Sequence, residues 1–203
     1  MPRVVLFIDY QNVYRDAQEA FFGRNAHYLD GQFDPVAFGN RICSKRPFGA
    51  KKETRELAEV RLYTGRAARK LEPKSYSAFR RQQAAWEERG IRVSSRRLQY
   101  LDWPNSRPRQ KGVDVALAVD FVVMACEGEY DIGVIASTDT DLLPALEYVS
   151  GIDTITAEVA AWWGESETTR KQLRVAKGGV WCHRLLRIDY DAVSDRTDYS
   201  IPQ

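Results

Sequence analysis

The chain opens on an uninterrupted apolar run, Val4-Val5-Leu6-Phe7-Ile8, that stops at Asp9. A strand buried on both faces of a parallel sheet reads this way, whereas a strand wetted on one face alternates. Arg3 to Ile8 is therefore expected to be the first strand. From Asn12 to Phe22 the apolar positions Val13, Ala17, Ala20 and Phe21 fall at helical spacing. Asp34-Pro35 predicts a second helix start, an N-cap followed by proline at the first helical position. Leu57 to Tyr63 predicts a strand, Glu72 to Gly90 a helix carrying Tyr76, Phe79 and Trp86, and Ile91 to Leu101 a third strand. After a polar, proline-marked loop from Trp103 to Gln110, Gly112 to Ala125 reads as an apolar helix with Val115, Leu117, Ala118, Phe121 and Val122. Tyr130 to Ala136 follows as a buried strand, Asp141 to Ser150 as a helix, Thr154 to Val159 as a strand and Val180 to Ile188 as a last edge strand.

Strands alternating with helices predict βαβ units and an open, mostly parallel sheet, an α/β fold. At 203 residues, with no internal repeat or linker, the expectation is one domain over 1–203, its core at about 3–160 and a C-terminal extension at about 161–203. Only residues 194–203 have a composition that suits disorder. No apolar run reaches the ~18 residues of a membrane span. The apolar run after Met1-Pro2-Arg3 is too short, and too soon interrupted by Asp9, for a signal peptide, so the expected place is the cytoplasm, with no membrane partner.

Three cysteines without close spacing, Cys43, Cys126 and Cys182, argue against a disulfide framework or structural zinc. The two histidines, His27 and His183, have no neighbouring candidate ligand in sequence. A metal here would be held by oxygen, which selects hard cations. Net charge is only +2, but residues 61–111 hold 14 Lys/Arg against 4 Asp/Glu, while the remainder holds 16 against 24. A basic region beside an acidic remainder suits a protein that meets a polyanion.

The acids sit where chemistry would need them. In open α/β sheets ligands bind beyond the carboxyl ends of the strands. Two strands end in aspartate there: the first at Asp9, and the one that continues as Ser137-Thr138-Asp139-Thr140-Asp141. A single aspartate after a strand is commonly a helix cap. Two such ends together with Asp114 at a helix start ask for more, because crowded carboxylates repel unless a cation lies between them. Magnesium or manganese takes carboxylate and water ligands, polarises phosphoryl oxygens and generates a nucleophile from water near neutral pH. Four aspartates suffice for one ion or two. Asp120 lies about 240° around an ideal helix from Asp114 and so does not share its face. Asp16 shares a face with Asn12 and reads as a solvated helix residue.

Three blocks, Phe7-Ile8-Asp9-Tyr10-Gln11-Asn12, Lys111-Gly112-Val113-Asp114 with Ala116, Leu117 and Asp120, and Ser137-Thr138-Asp139-Thr140-Asp141-Leu142, resemble the signature blocks of the NYN domain, here its LabA-like branch, in the PIN-like nuclease superfamily. The resemblance runs from about Arg3 to Val159. It implies a Rossmann-like three-layer α/β/α fold and a metal-dependent ribonuclease, with Mg2+ or Mn2+ on Asp9, Asp114, Asp139 and Asp141. Asn12 matches an asparagine that orients ligand or water, and Lys111 and Ser137 match as substrate-side residues. Thr138 departs from the pattern, since many relatives carry glycine there, which bears on the geometry of that loop.

The expected substrate is single-stranded RNA. Arg66, Arg69, Lys70, Lys74, Arg80 and Arg81 precede or occupy the third helix, and Arg96, Arg97, Arg107 and Arg109 lead into Lys111. Such cations bind phosphates without reading sequence, and the interleaved Tyr63, Tyr76, Tyr100 and Trp103 offer faces for unpaired bases. Arg107 and Arg109 are the favoured substrate contacts. Trp162-Trp163 is a candidate self-association surface. The competing class is a non-catalytic RNA-binding or regulatory module with the same fold. A phosphohydrolase of the haloacid type would need a second aspartate two residues after Asp9, where Gln11 stands. DNA stays open as a substrate beside RNA, because metal-aided phosphodiester cleavage does not itself require a 2′-OH.

Overall fold

The computed structural model describes residues 1–45, 54–176 and 179–202. Six strands form one sheet: β1 (Arg3–Asp9), β2 (Glu56–Arg66), β3 (Arg92–Arg97), β4 (Ile132–Ala136), β5 (Thr156–Trp162) and β6 (Trp181–Leu185). All neighbours are parallel, in the order β3-β2-β1-β4-β5-β6. The expected mostly parallel sheet is thus parallel throughout, and the order is that of doubly wound nucleotide-binding folds. It reverses between β1 and β4, and there the connections leave a crevice at the carboxyl edge.

The helices are α1 (Tyr10–Phe21), α2 (Pro35–Ser44), α3 (Pro73–Glu88), α4 (Val113–Cys126), α5 (Leu143–Ser150) and α6 (Arg187–Val193). The alternation along β1 divides the core into two layers. Val4, Leu6 and Ile8 face Val13 and Ala17 of α1, Phe38 and Ile42 of α2, Trp86 of α3 and Tyr190 of α6. Val5 and Phe7 face Leu117 and Phe121 of α4 and Leu146 and Val149 of α5. By the same parity Asp9 belongs to the α4 side. Gly133 of β4 is needed on that side, because a Cβ there would stand 2.6 Å from the Tyr130 ring and 2.7 Å from the Phe121 ring.

Four expectations change. The third strand ends at Arg97 rather than Leu101, and the chain then holds only an isolated antiparallel bridge, Gln99 to Arg109. The last strand ends at Leu185; α6 begins at Arg187 because the Asp189 carboxylate accepts from the Leu186 amide and caps the turn, leaving Ile188 exposed. Residues 194–202, expected to suit disorder, are tied down: the Asp195 amide donates to Gln32 O, and the Arg81 guanidinium donates to the carbonyls of Tyr199 and Ser200. Gln203 lies outside the described residues. Trp162 is core, its indole N–H donating to Val13 O at 3.1 Å, so half of the supposed self-association surface is internal packing. Among the described residues, no helix is long and apolar enough to cross a membrane.

Candidate metal centre

β1 delivers Asp9 to the carboxyl edge, where it also caps α1 by accepting from the Asn12 amide at 3.3 Å. α4 delivers Asp114 in its first turn, after Gly112 takes a left-handed φ of 73° that turns the incoming loop into the helix. The loop after β4 delivers Asp139. One carboxylate oxygen from each of Asp9, Asp114 and Asp139 lies within 4.8 Å of the others. The three come from the two strands flanking the order reversal and from the helix packed over them. Asp9 is buried and the other two are half-buried.

This closeness has an electrostatic cost. Burial pushes the Asp9 carboxyl up to about 7, the Asn12 amide pulls it back, and the charges of Asp114, Asp139 and Asp16 add to the rise. The donor set fits a hard divalent cation: it is all carboxylate oxygen, clustered tightly enough for one ion to touch all three, and its buried member is destabilised as an anion until a cation arrives.

Asp141 stands outside this triad. It is exposed, and its amide donates to Asp139 Oδ1 at 3.0 Å, which orients that carboxylate. Ser137 is buried, and its hydroxyl accepts from the Asp139 amide at 3.1 Å, so it shapes the loop from beneath. Asn12 spends its side-chain oxygen on the Thr138 amide at 2.9 Å, joining α1 to the same loop. Among the described residues no non-glycine has positive φ, so Thr138 sits there without strain where a glycine was the pattern. Its hydroxyl donates to Asp16 Oδ2 at 2.7 Å. Asp16 is thus engaged with the site rather than solvated. The available signal was its spacing, one turn beyond Asn12 on the same face.

Asp120 accepts instead from the Tyr63 hydroxyl at 2.7 Å and from Arg61 at 3.1 Å, away from the triad. Tyr63 is core, which removes it from the set of free aromatic faces, while the Tyr100 hydroxyl is engaged by Glu72 and the Ala68 amide and its ring lies edge-to-face with Trp103 at 5.4 Å. Arg81 is committed to the C-terminal carbonyls, and Arg66 lies over the Tyr76 ring at 5.9 Å. Arg107, Arg109 and Lys111 remain exposed with no ion pair among the described residues, on a loop fixed by the Gln99–Arg109 bridge. Arg96 joins them, its Cδ, Nε and Nη1 lying 3.8–3.9 Å from where a Cβ on Gly112 would stand, two residues before Asp114. From Asp114 and Asp141 a cleft of about 410 Å3 runs between α4 and α5, walled by Val115, Val119 and Val123. These valines are exposed, so α4, apolar all round, buries only one side.

The fold is similar to that of VPA0982, a protein of unknown function from Vibrio parahaemolyticus, at TM-score 0.50 and 17% identity over 78% of this chain and 80% of that one. No curated protein matches the chain in sequence. The family model of the NYN domain matches residues 3–179, which spans β1, α4 and the loop after β4, and the chain therefore belongs to the NYN domain family of PIN-like nucleases.

Proposed function

We propose that the protein is a ribonuclease that hydrolyses phosphodiester bonds of single-stranded RNA in the cytoplasm, using Mg2+ or Mn2+ held by Asp9, Asp114 and Asp139, with Asp141 at the rim. The observation that carries this reading is the convergence of three carboxylates from distant parts of the chain to within 4.8 Å. A bound divalent cation would supply charge stabilisation at the phosphoryl oxygen and lower the pKa of an attacking water. The chain's own residues do the rest. Asn12 and Ser137 set the loop, and the Asp141 amide turns the Asp139 carboxylate toward the triad.

The cations Arg96, Arg107, Arg109 and Lys111 hold backbone phosphates on the approach to Asp114, where Arg96 lies against Gly112. Trp103, 38% exposed, offers a face for an unpaired base. Phosphate binding of this kind carries no sequence preference, and it is the stacking face that favours an unpaired strand.

The test is cleavage of end-labelled single-stranded RNA by purified protein with Mn2+, with Mg2+ and with EDTA, beside an Asp9→Asn/Asp139→Asn variant. Cleavage that needs the cation and disappears in the variant supports the proposal. Cleavage that survives the substitutions overturns it, and tight RNA binding without cleavage favours the non-catalytic module.

A further inference from the structure

The pairing of β1 with β4 runs out at Ile8 and Ala136. Beyond it Asp9 is still held in the sheet by its pairing with Tyr63 of β2, whereas Asp139 lies on the loop after β4, so the sheet alone does not fix their separation. Helix α1 takes over that role. It begins directly after Asp9, and two of its side chains grip the loop that carries Asp139 one residue before that aspartate. Asn12 Oδ1 accepts from the Thr138 amide at 2.9 Å, and Asp16 Oδ2 accepts from the Thr138 hydroxyl at 2.7 Å. The same hydroxyl lies 3.3 Å from Asn12 Oδ1. Residues four apart on a helix stand one above the other, so main chain and side chain of Thr138 are clamped to one helical face.

We propose that Asp16, acting through the Thr138 hydroxyl, is a positioning residue that holds Asp139 at the distance from Asp9 that a shared cation requires. The proposal rests on the reading of the triad as a metal site. Asp16 itself is outside the triad. What it adds is a second, charge-assisted anchor on Thr138, shorter and stronger than a neutral hydrogen bond. With the Asn12 bond alone the loop can pivot about the Thr138 amide; with both it cannot. A ligand must be held within about 0.5 Å of its working position, and loss of an outer partner typically weakens metal affinity about 10- to 100-fold. That Asp16 also lies near enough for its charge to bear on Asp9 agrees with the placement.

The experiment is Mn2+ titration of the full chain by calorimetry and by the EPR signal of free Mn2+, with thermal melting measured alongside. Thr138→Val keeps the shape and removes the hydroxyl, and is expected to weaken Mn2+ binding about 10- to 100-fold with a cooperative melt retained. Thr138→Ser restores the donor and is expected to bind like the wild type. Asp16→Ala should weaken binding too, and adding it to Thr138→Val should cost little more, because both remove one interaction. Wild-type affinity in Thr138→Val overturns the proposal, as do fully additive losses, which would mean that Asp16 acts only as a remote charge. A lowered melting temperature with unchanged affinity also overturns it. Absence of Mn2+ binding by the wild type sinks this inference and the nuclease reading together. Mn2+ binding weakened as expected in a protein that cuts no RNA leaves the positioning role standing and removes only the nuclease.

Discussion

Asp9 at the end of β1 and Asp114 in the first turn of α4 present carboxylate oxygens within 4.8 Å of each other, from opposite halves of the chain. Strand parity and helix phase bring them together. Asp9 continues the odd-numbered face of β1 that Val5 and Phe7 bury against α4, and α4 packs that face through Val113, Leu117 and Phe121, which turns its first turn toward the end of β1. Two groups that repel are held by a hydrophobic interface built for other reasons, and the repulsion is left for a cation to relieve.

The pH dependence of stability follows from Asp9. Its carboxyl is raised from 3.8 to about 7, so the folded state holds the proton more tightly than the unfolded state. Between those values the folded protein is protonated at Asp9 and the unfolded one is not, so stability present below about pH 4 is lost as pH rises to about 7. Three units correspond to on the order of 4 kcal/mol. In EDTA the melting temperature is expected to fall across that window, and Asp9→Asn, which cannot ionise, should remove most of the fall. Saturating Mn2+ should do the same for the wild type at pH 8 by binding the folded state alone. A wild type and Asp9→Asn that melt in parallel from pH 4 to 8 in EDTA would contradict this.

Asp114 and Asp120 share a helix and separate cleanly in role. Asp114→Asn should abolish Mn2+ binding with little change in melting, because it removes a ligand and eases a repulsion. Asp120→Ala should leave Mn2+ affinity intact and destabilise by about 1–3 kcal/mol, since the buried Tyr63 hydroxyl loses its acceptor and Arg61 one of its carboxylates. Calorimetric titration and thermal melting on the two variants decide it. The reverse pattern would mean that the acids have been assigned the wrong way round.

Much of this was legible in the sequence because both signals are local. An unbroken apolar run ending in aspartate identifies a buried parallel strand and the edge where its ligand residue emerges, and this held for β1 and for β4 with its loop. Asp120 was separable from Asp114 by helix phase alone. What was not legible depended on contacts between distant segments. Arg81 reads as one more cation on a basic helix, yet carbonyls more than a hundred residues away claim it. Tyr63 reads as a candidate stacking face and is buried with its hydroxyl on Asp120, and the Tyr100 hydroxyl is held by Glu72 and the Ala68 amide. The spacing of Asp16 from Asn12 puts both on one face of α1, but that this face meets the loop after β4 depends on a contact between distant segments. The helix at Arg187 was missed because Leu185, Leu186 and Ile188 look like more strand, and only the cap at Asp189 decides otherwise.

Arg96 tests the proposed path of the substrate. It lies against Gly112 beside the first turn of α4, and Arg107, Arg109 and Lys111 extend the same cationic approach. Arg96→Ala is expected to weaken RNA binding and to reduce the slope of log affinity against log salt by about one counterion. Cleavage at saturating RNA should change much less. Lys111→Ala should behave similarly, and the two together should lower the slope by about two. Fluorescence anisotropy of a labelled single-stranded RNA across a salt series reads this directly, with Ca2+ or the Asp9→Asn background preventing turnover. An unchanged slope in both variants would place the RNA elsewhere.

Arg81 supplies the complementary control, because sequence alone groups it with those cations. Its guanidinium donates to Tyr199 O at 2.7 Å and to Ser200 O at 2.9 Å, fastening the C-terminal segment over α3. Arg81→Ala should therefore leave the RNA affinity and its salt slope as they are, and should instead free the segment after α6. Two hydrogen bonds from a charged donor, partly exposed to solvent, put the loss at about 1–3 kcal/mol. Hydrogen exchange should report faster exchange at residues 195–202 while the sheet amides keep their protection. Loss of RNA affinity as large as that of Arg96→Ala, with the C-terminal amides still protected, would return Arg81 to the substrate path and extend the cationic surface across α3.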